Sequence, residues 1–522
     1  SPAETGSAAV GGVLGLTGEI IRRLNVIRAF RELGTSRQRR ETMIALASTQ
    51  LLVQLSSMPI ALTIPSVARH FDVDVAQAAW LVIIRLLLLG STVFLAARLG
   101  EKYGHARVYL IGAVVLCVGS TMAATSLSFN QLLFWSGLVG IGGALITANS
   151  NAILALVFDN TERGRAFAVP VVAARLGGLI GLVLFGVFLQ FVSWRLVFLT
   201  SLPIGLLAIK YSYPLLKYQV QQAAADASRI NINYFGAALM VVTLGTFILS
   251  GMHLHDGAES FTTPEAVSYH IPMNLLFLSL LALFIVVQQR SREPFLDFRY
   301  FKQKYFSMAL FTNTTFHLSM LAVVTLIPIM VEDGLGHMPI IVTMVLLPNQ
   351  LVGLFLPTLA GWVHDRYNPR WLRPIALSLI ALGFILVGFF AGDLPVWGLP
   401  ILLFPVGIGS NLFNTANNAV VMNTLEENRS FASGMLETTR QMGHTIGTTI
   451  SATILGLALP VAINVMPVFE AQAAFKQGFQ YSALAVVGIM AAGAFVAMFQ
   501  RMPQGATRAR IRQPAPQLTG DS

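Results

Sequence analysis

The chain has 522 residues, 55% of them hydrophobic and 11% charged, with a mean hydropathy of +0.69. So few charges cannot clothe a 56.5 kDa particle in water, where roughly 25% is usual, and a soluble globular protein is excluded. One cysteine, Cys117, excludes a disulfide framework, a thiolate zinc site and an iron–sulfur cluster, so no metal and no cofactor is expected.

In chain order, a basic tail over 1–42 carries Arg22, Arg23, Arg28 and Arg31 among Ile20, Leu24, Ile27 and Phe30, either a helix lying on anionic headgroups or a flexible tail. It lacks the apolar run and cleavage site of a signal peptide. Fourteen apolar runs then follow, each long enough for a hydrocarbon layer about 30 Å thick. They fall at 43–68, 80–99, 108–127, 131–157, 166–192, 195–215, 233–252, 270–289, 306–331, 340–363, 372–391, 396–422, 432–460 and 479–500. The runs are continuous rather than alternating, so an all-α integral membrane protein is expected rather than a barrel. In order they fall as six over 43–215, two over 216–305 and six over 306–500, ahead of a tail over 501–522 that is expected to be disordered.

Charge fixes the orientation. Placing the amino terminus in the cytoplasm leaves 28 of the 34 bases on that side. Arg69, Arg195 and Lys476 lie outside, and Arg85, Arg175 and Arg440 lie within spans. Both termini are therefore expected in the cytoplasm, and the net charge of +10 reads as a topology signal, not a nucleic-acid surface.

Motifs narrow the reading. Ala97-Arg98-Leu99-Gly100-Glu101-Lys102-Tyr103-Gly104 follows the second span, and Gly361-Trp362-Val363-His364-Asp365-Arg366-Tyr367 stands at the matching place in the second half. Ser193-Trp194-Arg195-Leu196-Val197-Phe198 precedes Pro203-Ile204-Gly205, Pro328, Leu335, Gly336, Pro339 and Pro348 recur without a gap, and Ala432-Ser433-Gly434 leads to Thr438-Thr439-Arg440-Gln441-Met442-Gly443. Taken together, these stretches resemble the major facilitator superfamily, and within it the fourteen-helix drug:H+ antiporter branch. The resemblance implies two six-helix bundles with two inserted helices, rocking about a midplane site. It also implies gating contacts by the loop residues Glu101, Lys102, Asp365 and Arg366.

Departures from that branch point to the site. Ser56 stands where the first helix usually carries its proton-exchanging aspartate, and serine cannot exchange a proton near neutral pH. Arg85 replaces a tyrosine, Ser136 replaces an arginine, and the fifth helix loses its proline at Gly181-Leu182-Val183-Leu184-Phe185-Gly186. An arginine deep in a span costs roughly 2.5 to 3.5 kcal/mol, and spans one to six hold no Asp or Glu to pair with Arg85 or Arg175. An anionic substrate group is one partner for these guanidinium forks. Helix carbonyls and polar neighbours are the alternative. Glu437, in the place of the branch's asparagine and three residues before Arg440, is either a local ion pair or the proton-accepting group. His317 is a second proton candidate. Gln54 and Asn149 in the first half, and Asn411, Asn414 and Asn418 at helical spacing in the second, offer uncharged polar lining.

The expected protein is a secondary active exporter of amphiphilic small molecules in the inner membrane of a bacterium, multidrug-type and proton-exchanging. The missing carboxylates favour anionic or neutral substrates. Substrate, protons and the bilayer are its expected partners; a monomer is expected, and the branch includes members that work with a periplasmic adaptor protein. A metabolite or lipid-related carrier without the usual proton coupling, and a non-transporting receptor or partner subunit, are the alternatives. An enzyme is not expected, because no H-E-x-x-H, phosphate loop or nucleophile elbow is present.

Overall fold

The computed structural model describes residues 33–57, 63–73, 75–217, 232–251, 263–367, 369–425, 428–458 and 467–500. The arginine-rich stretch expected over 19–31 and the tail beyond 500 lie outside the described residues. Those described are helical nearly throughout. The first half holds α1 (Arg37–Ser57), α2 (Ile64–Phe71), α3 (Val75–Tyr103), α4 (His105–Ala124), α5 (Phe129–Val157), α6 (Arg163–Phe191), α7 (Trp194–Leu199) and α8 (Ser201–Ser212). Next come α9 (Tyr234–Ser250) and α10 (Pro264–Arg290). The second half holds α11 (Lys304–Ile329), α12 (Pro339–Tyr367), α13 (Leu372–Phe390), α14 (Leu399–Thr424), α15 (Arg429–Ala458) and α16 (Val468–Phe499). In lipid each backbone polar group must be satisfied within its own segment, which is why these apolar runs fold as helices. Short polar side chains start several of them: Ser128, Ser193, Asn233 and Thr263 each accept a hydrogen bond from a backbone N–H of the first turn.

By length and apolar composition, 11 helices among the described residues are able to cross a membrane. The fourteen expected spans are not reached on that measure. The first, seventh and thirteenth fall on α1, α9 and α15. Helix α1 opens on the polar Arg37–Thr42 stretch, α9 has only 17 residues, and α15 carries Ser, Thr, Glu, Arg and His along its length.

Helices α1, α3, α4, α5, α6 and α8 pack into one bundle, and α11 to α16 into a second. The bundles meet along two seams: α6 against α12, and α3 with α5 against α15. Helices α9 and α10 form a pair that rests on α3. On α10 only Ala266, His270, Phe284 and Gln288 are buried, and Val267, Leu275, Leu276, Leu278, Leu283 and Val286 face outward, as a lipid-facing helix requires. Where the α3–α4 and α12–α13 turns lie, here termed the turn end, Phe431 of α15 sits among Phe94 of α3, Tyr300, Phe301 and Phe306 with ring centroids 4.6 to 6.1 Å away. Such aromatic contacts join apolar burial to edge-on geometry and hold the two bundles together at that end.

Candidate functional site

The α6–α12 seam begins with two glycines. A Cβ on Gly361 would stand 2.3 Å from the Gly164 carbonyl oxygen, and one on Gly164 would stand 2.8 Å from that of Gly361, so the backbones touch only because neither has a side chain. This closeness brings Asp365 onto the first turn of α6. Its Oδ1 accepts from the Gly164 N–H at 2.7 Å, and its Oδ2 accepts from the Arg165 N–H at 2.9 Å and Nε at 3.1 Å. Glu162, the residue preceding α6, makes no side-chain cap of its own. The carboxylate of the other bundle therefore caps the helix and meets the positive end of its dipole. Beside it, buried Arg163 bonds the carbonyls of Phe158 and Ala155 and the Asn423 side-chain oxygen of α14.

Hydroxyls close the second seam. On α15, Ser430 donates to the Ala97 carbonyl at 3.0 Å and Ser433 to the Ala148 carbonyl, while a Cβ on Gly434 would press on Ala97 and Phe94. One turn deeper on the same helix face stands Glu437, 1% exposed. Its Oε1 accepts from Asn151 Nδ2 of α5 at 3.0 Å and from Arg440 Nη2 at 2.8 Å. Its Oε2 has no hydrogen-bond partner among the described residues, and neither has Arg440 Nε. One buried carboxylate thus ties α5 of one bundle to α15 of the other and keeps an acceptor in reserve. Beyond it the seam loosens: Arg440, His444 and Arg175 are half-buried.

Arg175 reaches across the α6–α12 seam. Its Nη1 donates to Gln350 Oε1 at 3.0 Å, and its stem lies on Gly353, where a Cβ would come within 3.0 Å of Cγ and Cδ. Gln54 of α1 lies on the same helix α6, 3.7 Å from a Cβ built on Gly178. His317 of α11 faces His444 of α15, with Nδ1 and Nε2 3.2 Å apart.

Other expected residues are placed elsewhere. Arg85 is buried inside the first bundle, where Nη1 donates to the Ser56 carbonyl and Cζ lies 5.5 Å from the Phe198 ring centroid, while Nε and Nη2 have no hydrogen-bond partner among the described residues. Asn149 joins α3, α4 and α5, donating to the Ala96 and Leu145 carbonyls and accepting from His105, so the structure does not bring it to either seam. Asn411 donates to Gly407 of its own helix, and its Oδ1, like that of Asn414, has no hydrogen-bond partner among the described residues. Glu101 pairs with Arg98, Lys102 lies over the Tyr103 and Tyr234 rings, and Arg366 lies over Trp362 and Tyr367, all within their own half or against α9. Of the four loop residues, Asp365 makes the contact between bundles.

Sequence reasoning missed Gln350, His444, Asn313 and Asn417. Asn417 Nδ2 donates to Asn313 Oδ1 at 3.2 Å, and Asn313 Nδ2 to the Leu436 carbonyl and Thr439, a buried amide link inside the second bundle. The spacing of Glu437, Arg440 and His444 at i, i+3 and i+7 was the available signal for His444. Gln350 and Asn313 carry none, because their partners are remote in sequence.

Two packed bundles of apolar helices, with polar and charged side chains between them and paired charged turns, have the form of a membrane transporter. The Major Facilitator Superfamily description matches residues 46–448, and the chain belongs to that family. Among its relatives are the riboflavin transporter RibZ of Clostridioides difficile, 20% identical over 76% of this chain and 83% of that protein, and the multidrug resistance protein Stp of Mycobacterium tuberculosis, 24% identical over 81% and 77%. The multidrug efflux pump LfrA of Mycolicibacterium smegmatis is 24% identical over 79% and 80%. In fold the chain is similar to the human organic anion transporter MFSD10, with a TM-score of 0.56 and 16% identity over 89% of this chain and 100% of that one. It is likewise similar to the proton:xylose symporter XylE, with a TM-score of 0.59 and 12% identity over 88% and 95%.

Proposed function

We propose that the protein exports amphiphilic small molecules, in the manner of a multidrug efflux pump, by exchanging them for protons across the inner membrane of a bacterium, with both termini in the cytoplasm. The observation that carries this reading is Glu437. Ionised, it holds Arg440 by charge and Asn151 by a charge-assisted hydrogen bond, the stronger kind, and so keeps the bundles together near the turn end. Protonation removes the charge from both contacts and favours the state in which that end opens. A proton arriving from the far side therefore turns the carrier toward the cytoplasm, and its loss there, with substrate loaded, turns it back. Asp365 pins the neighbouring seam, while Glu101, Lys102 and Arg366 brace the turns on which they stand. Relatives named for multidrug resistance and efflux support the export reading.

Arg175 supports a preference for anionic or neutral substrates. Its fork has a neutral amide for company at Gln350, and an anionic group set beside it gains bidentate contacts. Gln54, Asn411 and Asn414 supply neutral polar contacts, and the free amide oxygens of the last two accept a hydrogen bond from substrate. A metabolite carrier without proton coupling is the second reading, favoured by Ser56, whose hydroxyl is taken up by the Leu52 carbonyl and Ser201.

Flux in proteoliposomes tests the proposal. With Glu437→Gln, uptake driven by a pH gradient should fall about 100-fold, a loss of ~2.7 kcal/mol, while exchange of labelled for unlabelled substrate continues. Loss of both processes in a correctly folded variant would make Glu437 a structural ion pair and favour the second reading.

A further inference from the structure

His444 continues the stripe of Glu437 and Arg440, one turn beyond Arg440 on α15. Across from it on α11, His317 is buried, and the two rings stand 5.1 Å apart between centroids with planes inclined by 74°. The approach depends on Gly443, where a Cβ would fall 2.6 Å from the Thr314 carbonyl oxygen and 2.9 Å from His317 Cβ. Phe316 and Phe413, 4.9 Å apart, wall the other side. A contact of 3.2 Å between two ring nitrogens requires one to donate and the other to accept. The pair therefore holds either no extra proton or one; two would set N–H against N–H.

The charges around the pair are few. Arg440 on the same helix and Arg175 from α6 both act on His317, and Glu437 lies beyond Arg440. Helices α5, α9 and α14 bring no charged side chain. On α3, Arg85 is bonded to the Ser56 carbonyl, and Arg98, Glu101 and Lys102 sit at the turn end with His364, Asp365 and Arg366 of α12. Helix α16 carries Glu470 and Lys476 near its start, the lysine donating to the Gly392 carbonyl, and Glu332 and Asp333 follow the far end of α11. A carboxylate with a spare oxygen, a half-buried guanidinium and a paired imidazole thus lie in line along α15.

We propose that the His317–His444 pair is a second proton-holding station, taking one proton at a time from the side away from the Asp365 seal and passing it to Glu437. This rests on the proton-exchanging reading of Glu437. At 1.5 Å per residue the pair lies about 10 Å along the helix from the carboxylate, too far for direct contact. The imidazolium N–H gives its proton to the first of a file of waters beside Arg440, whose side chain is 26% exposed; each water passes one of its own protons onward, and the last gives one to Glu437 Oε2. The pair returns to neutral, Glu437 becomes a carboxylic acid, and no electrons change hands.

Carbon-13 labelling of the histidine rings in the full chain, held in lipid nanodiscs, tests this without a substrate. His317→Gln and His444→Gln assign the two signals. Both rings should titrate together within the pH range over which the protein stays folded, removing one ring should alter the curve of the other, and Glu437→Gln should displace the shared midpoint by about half a pH unit or more. If Glu437→Gln does not fold, Glu437→Asp, which withdraws the charge by one methylene, should displace it in the same assay. Rings fixed in one protonation state across that range, or curves indifferent to residue 437, would overturn the proposal. Coupled titration in a protein whose Glu437→Gln variant still accumulates substrate on a pH gradient would leave the imidazole site standing and overturn the reading of Glu437.

Discussion

At the α12–α13 turn, Asp365 crosses to the other bundle and accepts from the Gly164 and Arg165 backbone, whereas at the α3–α4 turn Glu101 turns back onto Arg98 of its own helix. Their glycines differ in the same way. Gly361 lies against Gly164 across the seam, while Gly100 lies against Asn149 and His105 within one bundle. One turn is thus a clasp between moving parts and the other a rivet inside a rigid one. On the riveted side the seam is closed by the Ser430 and Ser433 hydroxyls and the Phe431 ring cluster, and one turn deeper stands Glu437. Placing the clasp on α6–α12 leaves the α5–α15 seam to Glu437, the residue that the proposed exchange requires to answer to a proton.

The sharpest way to break this contrast is to add a methyl group at each glycine. Gly361→Ala should force the α6 and α12 backbones apart and open the turn end, read as a longer distance between spin labels at Thr161 and Arg370, while thermal stability changes little. Gly100→Ala should instead cost roughly 1 to 3 kcal/mol of fold stability, the usual penalty for overpacking, with melting as its readout. If both substitutions moved the label distance equally, the two turns would be equivalent.

Charge removal should separate them next. Asp365→Asn weakens a charge-assisted cap, worth about 1 to 2 kcal/mol in partly buried geometry, and should shift the closed-to-open ratio roughly tenfold. Glu101→Gln should leave that ratio nearly unchanged. A smaller and more selective effect is expected at Arg175→Gln, which should lower flux of anionic probes about fivefold more than flux of neutral ones, near 1 kcal/mol for one charge-assisted contact. Equal losses for both probes would assign Arg175 to packing. Smallest of all, Ser433→Ala should shift the label distance distribution by ~0.5 to 1 kcal/mol, the net worth of a single neutral hydrogen bond.

How far the sequence foretold this depends on whether a feature is local. Hydropathy located both bundles, because each helix must satisfy its own backbone in lipid, and the i, i+3 spacing already paired Glu437 with Arg440. A helix stands at each of the fourteen expected spans, but length and apolar composition do not confirm the count where a helix is short or polar, as at α9 and α15. Contacts between bundles were not legible. Asn151 meets Glu437 across 286 positions and Arg175 meets Gln350 across 175, and no periodicity in either segment names its partner. Asn149 shows the reverse: a buried amide in a span reads as lining, yet its bonds to Ala96, Leu145 and His105 spend it inside one bundle.

The most direct measurement follows the carboxyl group of Glu437 itself. Infrared difference spectra of the reconstituted protein, taken between acidic and alkaline pH, should contain a protonated-carboxyl band that disappears in Glu437→Gln and persists in Asp365→Asn. A spectrum unchanged by Glu437→Gln would mean that the carboxylate stays ionised against Arg440 at every pH tested, contradicting the proposal that it carries the proton.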